Sequence, residues 1–178
     1  MKLIKTQFKD LIIIRHNVFK DHRGYFKEKF KKENLEKIIN DKIEFCQENS
    51  VKSDLHVLRG LHFQNEPFAQ SKLVSVQVGK ILDVAVDIRK DSETYGKYFS
   101  YILSSEMHES VFIPKGFAHG YLTLSRTAVV NYLVDNYYNK LEEDGISFED
   151  EFLNINWGIK TSKIICSKKD KELKSYRW

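Results

Sequence analysis

The chain has 178 residues, 42% of them hydrophobic and 13% aromatic, enough apolar material for one domain with a full core and too little for two comfortable ones. Its formal charge is +4, but 29 basic residues are interleaved with 25 acidic ones, which argues against a one-signed face for nucleic acid. Apolar runs such as residues 11–14 fall far short of the roughly 18 consecutive apolar residues that a spanning helix needs.

In chain order, residues 11–15 form a short β-branched strand, 17–24 carry turn chemistry, and Tyr25-Phe26 begins a second strand. Leu35, Ile38, Ile39 and Ile43 recur at helical spacing and predict an amphipathic helix over 32–43. The period then changes. Val74, Val76 and Val78 alternate with polar residues, Gly79-Lys80 offers a turn, and Leu82, Val84, Val86 and Ile88 alternate again, which predicts a β-hairpin. Further strands are expected at 98–103, 110–113, 120–124 and 128–134, and Pro67 and Pro114 both fall in turns. Many short strands with one or two helices predict an all-β protein, an antiparallel jelly roll of eight or more strands, with residues 1–178 as a single domain. The tail from Lys160 to Trp178 has seven Lys or Arg against Asp170 and Glu172, a solvated surface or an attractor of pyrophosphate. Cys46 and Cys166 have no CxxC or zinc-ligand spacing and no secretory segment opens the chain, so a reduced cytoplasm is the expected setting.

Chemistry concentrates in Leu58-Arg-Gly-Leu-His-Phe-Gln64, Gln70-Ser-Lys72 and Pro114-Lys-Gly-Phe-Ala-His-Gly120. On a regular strand His62 shares a face with Gly60 and Gln64, and Arg59 lies on the opposite face unless a bulge at Gly60 intervenes. A strand histidine is more often a hydrogen-bonded core residue than a base, but this one sits in a polar, glycine-containing stretch. Neutral imidazole can take a proton at physiological pH, and a carboxylate on its second nitrogen, for which Asp170 is a candidate, would fix its tautomer. Lys72 reads either as a surface lysine or as an ammonium aimed at an enolate oxygen. Tyr132 reads either as packing or as a phenol returning a proton from the face opposite the histidine. His119, in P-x-G-x-x-H, resembles the second motif of the cupin superfamily, where that histidine binds a metal. The partner motif H-x-H is here His62-Phe-Gln64, so no metal is expected.

Together with 18–26, Gln47-Glu-Asn49, 72–74, 83–89, 92–96, 136–138 and Trp157, these stretches resemble the dTDP-4-dehydrorhamnose 3,5-epimerases, a metal-free branch of the cupin jelly rolls, over almost the whole chain. The resemblance implies a cofactor-free isomerase that inverts carbons 3 and 5 of dTDP-4-keto-6-deoxyglucose on the way to dTDP-L-rhamnose and surface polysaccharide. By the same resemblance His62 is the base, oriented by Asp170, Tyr132 the proton donor, and Lys72 the enolate stabiliser with His119 nearby. Arg59 and Arg23 hold the diphosphate, Gln47 and Asn49 line the nucleotide and sugar pocket, and Phe19 and Tyr138 pack the base. Glu28, Glu143 and Lys169 complete the rim, with Phe19, Arg23 and Glu28 arriving from a neighbouring subunit of a homodimer. An extra residue between Trp157 and Asp170 leaves Lys168 as the alternative to Lys169. Three other functions stay open: an epimerase of carbon 3 or carbon 5 alone acting on another nucleotide-linked sugar, a metal-dependent cupin, and a non-catalytic sugar-nucleotide binding module.

Overall fold

Alternating apolar and polar residues build two antiparallel sheets that face each other, in a computed structural model describing residues 2–176 and 178. The strands are β1 (Lys2–Lys5), β2 (Ile12–Arg15), β3 (Val18–Asp21), β4 (Gly24–Lys27), β5 (Gln47–Asp54), β6 (Leu58–Gln64) and β7 (Lys72–Val78), then β8 (Lys80–Asp87), β9 (Tyr98–Ser104), β10 (Glu109–Ile113), β11 (Phe117–Thr123), β12 (Thr127–Val134) and β13 (Glu143–Gly145). The first sheet has the order β1-β2-β10-β7-β12-β5 and the second β13-β6-β11-β8-β9, while β3 and β4 form a separate hairpin. This is the all-β, antiparallel jelly-roll class that the strand pattern predicts.

Three apolar layers hold it. Val74, Val76, Val111, Val130, Ile81, Ala85 and Phe117 interlock between the sheets. Helix α1 (Lys32–Ile39) places Leu35 over Ile12, Ile14, Leu73 and Phe112 on the back of the first sheet. The chain beyond β13 lays Ile146, Phe148, Leu153 and Trp157 over Leu58, Leu61, Val84 and Val86 on the back of the second. The basic tail is therefore seated rather than free: Tyr176 and Trp178 join that layer, and a one-turn helix α2 (Lys168–Lys171) forms within it. Among the described residues no helix is long and apolar enough to cross a membrane.

Local expectations need correction in three places. The segments β7 and β8 are not a hairpin: β7 pairs with β10 and β12, β8 with β9 and β11. At Gly79 (φ +80°) the chain turns from one sheet into the other, and a side chain there would collide with Thr127 and Ser125. Alternation identified both strands correctly, but period 2 says nothing about which strand a neighbour pairs with. Helix α1 stops at Ile39 because Asn40 adopts the left-handed conformation (φ 54°) and returns its N–H to Glu36. Ile43 still reaches the same apolar layer, from the irregular chain between α1 and β5. Half of the expected turn at 17–24 is strand β3, with the reversal confined to His22 and Arg23.

Candidate active site

The site lies between the sheets where the apolar filling gives way to polar groups. On β6 the pairing with β11 slips: Arg59 is opposite Tyr121 and His62 opposite His119, so three steps on β6 match two on β11. Gly60, at φ +117°, takes up the extra residue, since a Cβ there would lie 2.6 Å from the Gly120 Cα and 2.7 Å from the His119 carbonyl oxygen. The bulge turns Arg59 and His62 to the same side, where both line a cavity of about 540 Å³ with Lys72, His119, Tyr121, Tyr132, Lys169 and Asp170.

His62 Nε2 lies 2.8 Å from Asp170 Oδ1. An ionised carboxylate only accepts, so Nε2 carries the proton and Nδ1 of the neutral ring is the basic atom. Asp170 is 4% exposed. Burial pushes its carboxyl up, but hydrogen bonds from His62, from the α2 cap Ser167 and from the Gly60 N–H together hold it below the usual carboxylate range. Ser167 Oγ accepts from the Asp170 N–H at 3.0 Å, so the cap of α2 fixes the residue that orients the histidine.

Across the cavity, Lys72 and Tyr132 come from adjacent strands of the first sheet, where Lys72 is level with Val134 and Tyr132 with Val74. Burial pushes the Lys72 ammonium down to about 8, against the opposing pull of Asp83 and Glu143. Burial also raises the Tyr132 phenol, helped by neighbouring Tyr121, while Arg59 opposes. His119 is 8% exposed and its Nε2 donates to Asp83 Oδ1 at 2.7 Å, giving the second sheet another histidine–aspartate pair beside the first.

A second lobe of about 330 Å³ shares His62, Lys72 and Tyr132 with the first and adds Gln47, Asn49, Tyr138 and Glu143. Gln47 and Asn49 enter from β5, opposite Val134 and Tyr132. Glu143 Oε2 accepts from the Tyr138 hydroxyl at 2.6 Å and pairs with Lys169 at 2.5 Å. Burial would raise this carboxyl, but Lys169, Tyr138 and the nearby His62 lower it overall. Lys168 turns away to Glu172. Phe19, Arg23 and Glu28 line neither lobe; Phe19 is 62% exposed on the β3–β4 hairpin, and Arg23 is held by Asp21 at its tip.

A basic histidine faces a phenol across a cavity that also holds an ammonium and a guanidinium, the equipment for moving protons beside a carbonyl in an anionic ligand. The family model described as dTDP-4-dehydrorhamnose 3,5-epimerase matches residues 5–177. The chain belongs to the dTDP-4-dehydrorhamnose 3,5-epimerase family. A Shigella flexneri dTDP-4-dehydrorhamnose 3,5-epimerase is 46% identical over 159 residues, 89% of this chain and 88% of that protein. The crystal structure of the Elizabethkingia anophelis dTDP-4-dehydrorhamnose 3,5-epimerase superposes with a TM-score of 0.95 at 45% identity, covering 99% of this chain and 96% of that one. The Legionella pneumophila dTDP-6-deoxy-D-glucose-3,5-epimerase, solved in complex with dTDP-4-keto-L-rhamnose, gives 0.93 at 40% identity, covering 98% and 92%.

Within the dTDP-4-dehydrorhamnose 3,5-epimerase scaffold, sequence reasoning assigned no role to several residues that shape the cavity. Asp83 is a polar position in the β8 alternation, and two aspartates, Asp83 and Asp87, in a strand otherwise rich in Val, Leu and Ile are the signal that could have marked it; both are fully buried. Ser53, also buried, accepts from Arg59 Nε at 2.9 Å and lies 3.2 Å from the Tyr121 hydroxyl, so a buried pair steers the guanidinium. The His119–Asp83 and Ser53–Tyr121 links join residues far apart in the chain, and Ser53 meets Arg59, six positions on, only across two strands, so none leaves a local pattern.

Proposed function

We propose that the protein is an isomerase that inverts carbons 3 and 5 of dTDP-4-keto-6-deoxyglucose, giving dTDP-4-keto-L-rhamnose. The observation that carries this reading is that His62 on one sheet and Tyr132 on the other line the same cavity as Lys72. The 4-ketone acidifies the hydrogens on both neighbouring carbons. His62 Nδ1 takes one of these protons, the C–H electron pair moves into the bond to carbon 4, and the negative charge comes to rest on the ketone oxygen beside Lys72. Preorganised positive charge there lowers the barrier by several kcal/mol, on the order of 3. Tyr132 returns a proton to the same carbon from the opposite face, the enolate reverts to the ketone, and solvent restores the imidazole and the phenol. Repetition at the second carbon completes the change to the L-sugar.

Arg59 and Lys169 supply positive charge for the diphosphate, and Gln47, Asn49, Tyr138 and Glu143 receive the nucleotide end in the second lobe. The β3–β4 hairpin exposes Phe19, Tyr25 and Phe26 at 62, 56 and 68%, an apolar cost that a partner subunit would remove. Its Phe19, Arg23 and Glu28 serve the partner's site in a homodimer, and the free cysteines Cys46 and Cys166 suit a cytoplasmic setting.

The test is incubation of the purified protein with dTDP-4-keto-6-deoxyglucose in heavy water, with deuterium at carbons 3 and 5 followed by NMR and the product trapped by a reductase as dTDP-L-rhamnose. Deuterium at both carbons is expected. Labelling at one carbon alone would limit the protein to a single inversion, and none at either would overturn the reading.

A further inference from the structure

The segment that carries Arg59 and His62 ends on a residue the proposed chemistry does not use. Gln64 closes β6 two positions beyond His62 and is 8% exposed. It borders the second lobe, and its amide makes three hydrogen bonds away from it: Nε2 donates to the carbonyls of Phe68 at 2.7 Å and Tyr137 at 3.2 Å, and Oε1 accepts from the Asn139 N–H at 2.7 Å. Phe68 belongs to the loop that follows β6; Tyr137 and Asn139 belong to the loop that follows β12, one on each side of Tyr138. A second amide fastens the same two loops, with Gln70 Nε2 donating to the Asn136 carbonyl at 2.8 Å.

Tyr138 is 56% exposed, and its hydroxyl bond to Glu143 fixes one end of the ring. Gln64 bonds the residues on either side of it, in a loop that Gln70 and the Asn136 side chain, donating to the Pro67 carbonyl, also tie down farther out. From this geometry we infer that Gln64 is a positioning residue for nucleotide binding: it clamps the backbone around Tyr138 and so presets the aromatic rim of the second lobe. The inference rests on the proposed function, which gives that lobe to the nucleotide. Presetting a rim ring reduces the ordering cost of binding. Proton transfer is untouched, because His62 is oriented separately by Asp170 on α2.

The decisive variant is Gln64→Met, which keeps the side-chain length and removes all three hydrogen bonds, measured in the full chain with dTDP-4-keto-6-deoxyglucose for turnover and dTDP alone for binding. KM and the dTDP Kd are each expected to rise about tenfold, the equivalent of roughly one net hydrogen bond, while kcat stays within about threefold. In a Tyr138→Ala background the same substitution should change the dTDP Kd by less than about twofold, because the two residues act through one ring. Unchanged dTDP affinity, effects that multiply across the two sites, or a loss confined to kcat would each overturn the inference. Should Gln64→Met fail to fold, Gln70→Met pulls on the same loop and must show the same split between KM and kcat for the inference to stand. A parent protein that neither turns over the sugar nor binds dTDP would instead defeat the proposed function itself.

Discussion

Arg59 and His62 face one cavity although an odd number of positions separates them on β6, and the bulge at Gly60 is what turns them to the same side. The proposed anion binder and base are thereby held within one strand, at a separation set by backbone. Gly60→Ala forces a Cβ against Gly120 and the His119 carbonyl oxygen at a φ that disfavours side chains. We expect a loss of about 2–4 kcal/mol of stability and a turnover decrease larger than the fraction unfolded explains. Thermal denaturation alongside kcat at a temperature where the variant is folded checks both; a folded variant with parental kcat would remove the bulge from the account.

His62→Ala should lower kcat by about 10³-fold and Asp170→Asn by about 10²-fold, with dTDP affinity preserved within a few-fold, since positioned acid–base groups contribute on that order. Steady-state rates and calorimetric dTDP binding measured on the same samples separate the two effects. Loss of dTDP binding in step with kcat would reassign the pair to ligand recognition.

Tyr132→Phe keeps the ring and removes the proton that inversion needs. Deuterium from heavy water should still enter carbon 3 or 5 through His62, returning to the original face, while formation of the L-sugar falls by about 10²-fold or more. NMR of the recovered sugar reports exchange and configuration together. Inversion at the parental rate would assign the donor to another group.

Lys72 carries its charge only below about pH 8 in the folded protein, because burial depresses its pKa from 10.5. kcat should therefore decline above pH 8, and Lys72→Arg should move that decline upward. Folding has the opposite dependence. Between pH 8 and 10.5 the unfolded chain keeps a proton that the folded chain has released, so this residue's unfavourable contribution fades as pH rises, by at most about 3 kcal/mol. Thermal denaturation of the parent and Lys72→Met across that range should show the parent gaining relative stability as pH increases, and a constant difference would mean that the ammonium is solvated.

The alternation of β7, β8, β11 and β12 and the turn residues between them made the fold class legible in the sequence, and the histidine-bearing segments made the family legible. Pairing was not legible, because Gly79 serves equally as a hairpin turn or as a corner between sheets. Strand β5 was missed as an element because Gln47, Asn49 and Val51 alternate with Glu48, Ser50 and Lys52, and a strand lining a polar cavity has no apolar period to detect. The roles of Asp83 and Gln64 depend on His119, 36 positions away, and on the Asn139 backbone, 75 positions away, which residue identity does not encode; Ser53 and Arg59 are nearer in sequence but meet only through the fold.

The crossing of the chain at Gly79 from one sheet to the other has a stereochemical meaning. The proposed base and donor stand on facing walls, and two packed sheets lie about 10 Å apart, a gap that admits one pyranose ring with a side chain reaching it from each side. A sandwich of this kind favours antarafacial proton traffic by its construction, since the wall that takes the proton and the wall that delivers one face opposite sides of the ring. Which carbons are inverted then becomes a matter of where the sugar stops along the gap, so new stereochemical outcomes can arise from changes at its ends with both walls intact.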